Sequence, residues 1–174
     1  MRNEADNNKN NLKTAEYNGY TFRKATEAEE DRFCGGMICN IYELLQYADF
    51  SKAYGQLVSL FGEAKYVSKN LENQYEYFIC ATDKSGDDHI FCAYSGPTGP
   101  ALSGYDEDEE LVQALLTLIR ETVPADYDYE GYYMDGPCKV FMGVKDGKPY
   151  MREEELNLTQ EEFTDLYKTL YGLG

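Results

Sequence analysis

The sequence predicts an α+β domain, with a largely antiparallel sheet built from hairpins and four to five helices packed on it. Two observations support this class. Short apolar or alternating runs are separated by turn sequences such as residues 83–87, Asp-Lys-Ser-Gly-Asp, which is typical of hairpins. Between these groups of strands, apolar residues recur at helical spacing. The resulting order is helix, three strands, helix, three strands, helix, which favours helices gathered on one face of the sheet.

The length of 174 residues is that of one domain. At this size, folding buries about two-thirds of the surface of the chain, which is enough for a hydrophobic core. Residues 1–14 contain five Asn and few apolar side chains, a composition typical of a disordered tail. We therefore expect a tail over 1–14 and a single domain over 15–174.

Local signals place the elements of the first half. Thr26 and Glu29 have the spacing of a capping box, which predicts a short helix that ends at Gly35-Gly36. Apolar residues at helical spacing predict two more helices, and Gly62 stands where the second of these should end. Strands are predicted where hydrophobic runs lie between turn residues. The expected elements are a strand over 17–22, helices over 37–48 and 50–61, and strands over 64–68, 75–82 and 88–94.

The second half begins with a Gly/Pro-rich segment, 95–104, which we interpret as a loop. A helix over 107–123 is expected to end before Pro124, because the residue that precedes a proline avoids helical geometry. Turn sequences separate three predicted strands, over 127–134, 138–145 and 148–152. Thr159 and Glu162 form a second capping box. The helix that follows is expected to bury a stripe made of Phe163, Leu166, Tyr167, Leu170 and Tyr171.

The charge of the chain excludes several classes of partner. It has 32 Asp and Glu residues against 16 Lys and Arg, for a net charge of -16. Phosphates repel such a surface, so we expect no direct binding of nucleic acid and no docking on anionic lipid. No apolar run approaches the roughly 20 residues of a membrane-spanning helix, so no membrane insertion is expected. A basic protein is the partner that this charge favours.

The acidic residues are concentrated in one stretch that is also rich in tyrosine. Between Ser103 and Asp135 there are ten acidic residues and one basic residue, Arg120, a net charge of -9. General solubility needs a net magnitude of only about 2–8 for a small domain. Strand alternation in 126–133 predicts that the first two tyrosines lie on one face and the carboxylates on the other. The predicted partner-binding residues are Asp106, Glu107, Asp108, Glu109, Glu110, Asp126, Tyr127, Asp128, Tyr129, Glu130, Tyr132 and Tyr133.

Motifs for chemistry are weak. Segment 95–104 lies where a phosphate-binding loop would, but it lacks a Gly-Lys-Ser/Thr ending and is followed by carboxylates that repel phosphate. The single histidine, His89, should point away from Cys92 on a strand, which disfavours a Cys–His nucleophile pair. Cys34 and Cys39 do not have the Cys-x-x-Cys spacing of zinc and redox sites. No catalytic residue, metal-ligand set or cofactor is predicted.

Three hypotheses about function follow. The leading one is an acidic protein-binding module of the inhibitor or immunity type, which masks a basic partner surface, for example that of a nucleic-acid-handling protein, with a face rich in carboxylates and tyrosines. The second is a small-molecule-binding domain or enzyme with a tyrosine-lined cleft near 95–104. The third hypothesis is a tethered extracytoplasmic domain that has lost its leader.

The cysteines and the start of the chain bear on its location. The number of cysteines is odd, five, and the start is polar, which predicts reduced thiols and a cytoplasmic location.

Overall fold

The computed structural model describes residues 12–42, 47–71, 74–96, 99–105 and 107–173. Within these ranges the chain forms nine strands and four helices, so the α+β class is confirmed. In chain order they are β1 (Thr14–Tyr17), β2 (Tyr20–Lys24), α1 (Glu27–Glu30), β3 (Met37–Asn40), α2 (Tyr47–Phe61), β4 (Glu76–Thr82), β5 (Asp88–Gly96), β6 (Gly99–Gly104), α3 (Glu109–Glu121), β7 (Tyr127–Tyr133), β8 (Cys138–Lys145), β9 (Lys148–Glu155) and α4 (Gln160–Tyr171).

The strands form two sheets, where the sequence predicted one. A six-stranded sheet has the order β1-β2-β4-β5-β6-β3, and a separate three-stranded sheet has the order β7-β8-β9. Every strand pair in both sheets is antiparallel, as predicted. The small sheet is a meander whose strands pair only with their neighbours in sequence, so hydrophobic patterning alone could not show that it is separate.

Local turn and cap signals account for much of the observed structure. Asn18 and Gly19 have positive φ values of 51° and 82°, the geometry of a two-residue hairpin turn. The predicted strand over 17–22 is therefore wrong, because the chain reverses inside it and forms β1 and β2. Both capping boxes are confirmed, at Thr26 and at Thr159. Residues 1–11 of the predicted tail lie outside the described residues, and β1 begins at Thr14.

The predicted helix over 37–48 is wrong at its start. Residues 37–40 form β3, which pairs with β6, while 43–46 lie outside the described residues and 47–48 already belong to α2. A segment of four residues is too short to distinguish the helical period from the strand period, and here pairing with a neighbouring strand decided the outcome. The predicted strand over 64–68 is also wrong, because only Val67 makes a β-bridge, to Tyr75.

Segment 95–104 is not a loop over most of its length. Residues 95–96 end β5 and 99–104 form β6, which lies between β5 and β3 in the large sheet; residues 97–98 are outside the described ranges. Pro100 is the second residue of β6, where a missing N–H is tolerated, and its carbonyl accepts from Ile41 N at 2.8 Å. The remaining strands after Pro124 match the prediction, with β9 three residues longer than the expected 148–152.

The main hydrophobic core lies on one face of the large sheet. Helices α2 and α3 cover one face with side chains such as Leu57, Leu115 and Ile119, which have no exposed surface. On the other face, α1 and the segment after it lie over β4, where the rings of Phe33 and Phe78 meet edge to face at 5.4 Å. Gly35 approaches Gly104 so closely that an added Cβ would lie 2.6 Å from its Cα. This packing positions the ends of β5 and β6 near α1.

Helix α2 also contacts the small sheet, so it lies between the two sheets. The contact is tight at Gly55, where a Cβ would lie 2.9 Å from a side-chain carbon of Pro124 and 3.1 Å from Val144. Tyrosines from β7 point into this interface. The hydroxyl of Tyr127 donates to Ser51 O at 3.0 Å, which ties β7 to α2.

The prediction that α4 buries an apolar stripe is wrong. None of the described side chains of this helix is buried, and Tyr167 keeps 38% of its surface exposed. Instead the aromatic residues stack along the helix itself, with Tyr167 and Tyr171 ring centroids 4.4 Å apart. Helical spacing shows that residues share a face, but not that another element covers that face.

Candidate functional site

The first predicted contact segment is the start of α3. Asp106 lies outside the described residues. Asp108 is the N-cap of the helix, and its Oδ1 accepts a hydrogen bond from Leu111 N at 3.0 Å. Glu107, Glu109 and Glu110 are exposed. Asp108 therefore has a structural role, while Glu107, Glu109 and Glu110 face solvent.

The β4–β5 turn adds carboxylates that the sequence analysis missed. Lys84, in this turn, places its Nζ 3.1 Å from Glu110 Oε2, so the turn lies beside the start of α3. We call the two segments together the acidic end; its carboxylates are those of Asp83, Asp87, Asp88, Glu107, Asp108, Glu109 and Glu110. The acids of the turn are visible in the sequence. Their closeness to α3 depends on the strand order β2-β4-β5, which no local pattern reveals.

The turn is held in a defined geometry by Asp83. Its Oδ1 accepts from the backbone N–H of Ser85 at 2.8 Å and of Asp87 at 3.0 Å. Its Oδ2 accepts from His89 Nε2 at 2.8 Å. The bond from His89, followed by that from the Asp87 N–H, lowers the pKa of Asp83 below its ordinary value. The carboxylate therefore stays ionised and orients the imidazole.

His89 forms one wall of a surface cavity of about 390 Å³. The imidazole stacks on the ring of Tyr105, with centroids 4.2 Å apart and planes 12° from parallel. Burial, and then the nearby carboxylates of Glu107 and Asp108, raise the pKa of Tyr105. As predicted, His89 and Cys92 alternate along β5, and Cys92 is buried. The thiol that shares the cavity is instead that of Cys34, which is exposed.

A second cavity, of about 540 Å³, lies between the β1–β2 hairpin and α3. Tyr17, Tyr20, Lys84, Glu110 and Gln113 are among the residues that line it. The two cavities lie near the start of α3, and the β4–β5 turn links them. Lys84 of this turn lines the second cavity. The adjacent Asp83 binds His89, which lines the first. The acidic end therefore combines solvent-facing carboxylates with two recesses.

The second predicted contact segment, in β7, alternates as expected. Tyr129 is buried and donates to Ser68 O at 2.7 Å, and burial raises its pKa well above the ordinary value. Tyr127 points the same way and is half-buried, as is Tyr133, which packs against the core of the small sheet. Tyr132 lies on the outer face with the carboxylates. Most of these tyrosines are therefore committed to packing inside the protein.

The carboxylates of this second segment have local partners. Both oxygens of Asp126 accept from turn amides, Asp146 N at 2.9 Å and Gly147 N at 3.0 Å, which lowers the pKa of Asp126. The Tyr150 hydroxyl donates to Asp128, and its pKa rises to about 12 because of burial and this bond. Glu130 and Lys139 form an ion pair, and Arg152 pairs with Glu154 on the same face. This face is largely neutralised.

The two predicted segments also lie apart. Asp108 precedes α3 and Asp126 follows it, and a helix of 13 residues is about 20 Å long. The segments therefore stand at opposite ends of the helix and do not form one continuous patch.

In the part of the chain that the structure describes, one group of three side chains could hold a metal ion, namely Glu29, Cys80 and Asp88. The guanidinium of Arg23 lies among them. It donates to both oxygens of Glu29, at 2.7 and 2.8 Å, and its Nη2 is 3.7 Å from Asp88 Oδ2. The guanidinium of Arg23 thus already supplies the positive charge that balances the two carboxylates, so these three residues do not suit a metal ion.

Comparison of the chain with protein-family models, curated proteins and solved structures finds no match. Among the described helices, none is both long and apolar enough to cross a membrane.

Proposed function

We propose that the protein is an acidic protein-binding module of the inhibitor or immunity type, which masks a basic surface of a nucleic-acid-handling partner. The observation that supports this is the acidic end. There the β4–β5 turn and the start of α3 bring carboxylates together from two separate parts of the chain. Among the described residues, Asp87, Glu107 and Glu109 form no ion pair with a basic side chain.

The physical argument is electrostatic. A concentrated negative field accelerates encounter with a cationic surface and orients it before contact. Carboxylates at this surface would occupy the positions that nucleic-acid phosphates take on the partner. The groups are also pre-organised, because Asp83 fixes the turn and Asp108 caps the helix, so little conformational freedom is lost on binding.

The acidic end is a better contact surface than β7. On the small sheet, Glu130 and Asp128 are already bonded to a lysine and a tyrosine. A partner would have to break these contacts before it gained new ones. We therefore place the main contact at the start of α3 and the β4–β5 turn, with β7 outside it.

The experiment is affinity capture from a lysate of the source organism with wild-type and variant protein, followed by assay of the captured protein. The variant Asp87→Asn/Glu107→Gln/Glu109→Gln removes three charges from the acidic end and leaves the N-cap intact. We expect wild type to retain a basic protein through moderate salt and release it at high salt, and the variant to lose it. The purified partner should lose its nuclease or nucleic-acid-binding activity when wild-type protein is added.

A matched variant tests whether binding depends on where the charges lie or only on the total charge of the protein. Glu153→Gln/Glu155→Gln/Glu161→Gln also removes three charges, from β9 and α4, and we expect it to retain the partner. Equal loss in both variants would show that only net charge matters. Retention of nothing by wild type would overturn the proposal.

A second candidate function is supported by the His89 cavity. It combines an imidazole oriented by Asp83, the Tyr105 ring and the exposed thiol of Cys34, next to the end of β6 where the sequence predicted a cleft. Such a set could bind a small molecule or act on one. A thermal-shift ligand screen on wild type, repeated with His89→Gln and Cys34→Ser, tests it. A ligand that stabilises wild type and neither variant would favour this function over the first.

A further inference from the structure

The cavity between the β1–β2 hairpin and α3 already holds a cation of the protein itself. Lys84 Nζ lies 4.9 Å from the centroid of the Tyr20 ring and 3.1 Å from Glu110 Oε2. The lysine stem passes over the hairpin turn, where a Cβ on Gly19 would lie 3.5 Å from it. An aromatic face, a carboxylate and an ammonium thus meet at one point, the arrangement of a cation–π site closed by an ion pair.

The three groups differ in how firmly they are held. Tyr20 is a core residue with 3% of its surface exposed, and its ring is 6.4 Å from that of Phe22. The side chain of Lys84 is 56% exposed and lies on a turn. The aromatic face is therefore fixed, while the cation above it is the part that can leave. Its departure would uncover the ring and leave Glu110 without its ion-pair partner.

An arginine side chain fits this recess better than a lysine. Its planar guanidinium stacks on an aromatic ring and donates parallel hydrogen bonds to one carboxylate, and it is less strongly hydrated than an ammonium. The cavity, of about 540 Å³, is within the range of about 300–1,000 Å³ for ligand pockets. Gln113 adds an amide to the wall. Exchange of one cation for another also leaves the net charge of the recess unchanged.

We propose that this cavity is a receptor for an arginine side chain of the basic partner, which displaces Lys84 from Tyr20 and Glu110. This inference rests on the proposed function, because it assigns the partner's chemistry at one place in the acidic end. Lys84 acts as an internal competitor: it keeps the aromatic face covered until an arginine arrives. The surrounding carboxylates steer the partner, and the recess selects arginine over lysine.

The test uses N-acetyl-arginine amide as the probe, with N-acetyl-lysine amide as its matched control, titrated into the full chain by NMR. We expect arginine amide to perturb the signals of Tyr20 and its neighbours and to bind about threefold to tenfold more tightly than lysine amide. Lys84→Ala removes the competitor and should tighten arginine binding by a similar factor. Lys148→Ala removes the same charge at the other sheet and should change affinity little.

Two pairs of variants test the carboxylate and the aromatic face of the recess. Glu110→Gln should weaken arginine binding about tenfold, whereas Glu121→Gln, at the other end of α3, should not. Tyr20→Leu removes the aromatic face; because this residue is buried, its fold is checked by circular dichroism, and Tyr20→Phe should retain binding.

The outcomes separate this inference from the proposed function. Equal affinity for the two amides, or equal effects of Lys84→Ala and Lys148→Ala, would overturn the arginine receptor even if the acidic end still captures a basic partner. Selective arginine binding in a protein that captures no partner would overturn the proposed function and leave the receptor standing.

Discussion

Replacing Glu29 by alanine should destabilise the protein more than any other change of a carboxylate in α1. Its side chain is 1% exposed and accepts two hydrogen bonds from Arg23, at 2.7 and 2.8 Å, and one from Thr26 N, at 2.8 Å. The change leaves a guanidinium that is 10% exposed without its main partner. It also removes half of the capping box of the helix.

The expected loss in the free energy of unfolding follows from these contacts. Breaking a buried ion pair by removing one member costs about 3–5 kcal/mol, because the other charge stays buried without compensation. Asp88, 3.7 Å from the guanidinium, replaces part of the lost interaction, so we expect the lower half of that range. For a domain of this size, the melting temperature should fall by about 6–16 °C. Urea unfolding followed by circular dichroism measures the free energy of unfolding.

The same helix offers a matched control. Glu27 pairs with Lys65 at 2.8 Å, but their side chains are 81% and 68% exposed, so Glu27→Ala should have little effect on the free energy of unfolding. The double variant Arg23→Met/Glu29→Leu removes both charges and should recover most of the loss. A loss for Glu29→Ala no larger than that for Glu27→Ala, or no recovery in the double variant, would show that the buried ion pair does not stabilise the fold in this way.

Three other changes have defined expectations. Gly143→Ala places a Cβ 2.0 Å from a backbone oxygen of β7 and should lower the free energy of unfolding by about 1–3 kcal/mol or more, as measured by urea unfolding, whereas Gly36→Ala, with open space around it, should have almost no effect. The pKa of Asp83 is lowered in the folded protein, so its stabilising effect is complete above about pH 4 and is lost as pH falls through the lowered value; Asp83→Asn should flatten the acid limb of a stability–pH curve. Thr159→Ala removes a cap worth about 1 kcal/mol from a helix that buries no residue, so hydrogen exchange should speed up in α4 while global urea unfolding stays unchanged. An equal response to the two glycine changes, an unaltered acid limb, or a shifted global midpoint for Thr159→Ala would contradict these expectations in turn.

Features set by a few neighbouring residues could be predicted from the sequence. The capping boxes at Thr26 and Thr159 depend on contacts three residues apart, and both are present. The strands after Pro124 are bounded by turn residues, and the Asp146-Gly147 turn takes the positive φ values that such a pair favours. The alternation of β7 followed from the period of two in a strand.

Features set by contacts between residues far apart in the sequence could not be predicted. Residues 37–40 are too short a run to distinguish helix from strand, and pairing with β6 made them a strand. The stripe of α4 has the apolar spacing of a buried one, yet none of its side chains is fully buried. At the candidate site, the acids of the α3 start were visible in the sequence, but those of the β4–β5 turn joined them only through the order of strands in the large sheet.

The strand order has a consequence for how the chain reaches its native state. Of the seven strand pairings among the described residues, five join neighbours in sequence, and each can close as a hairpin on the microsecond scale. The other two join β2 to β4 and β3 to β6, which brings together residues as far apart as Met37 and Ser103. These closures carry the largest loss of chain entropy, so they should limit the folding rate. The turn that carries Asp83 and Lys84 forms early with its hairpin, and it reaches α3 only after the β2–β4 closure.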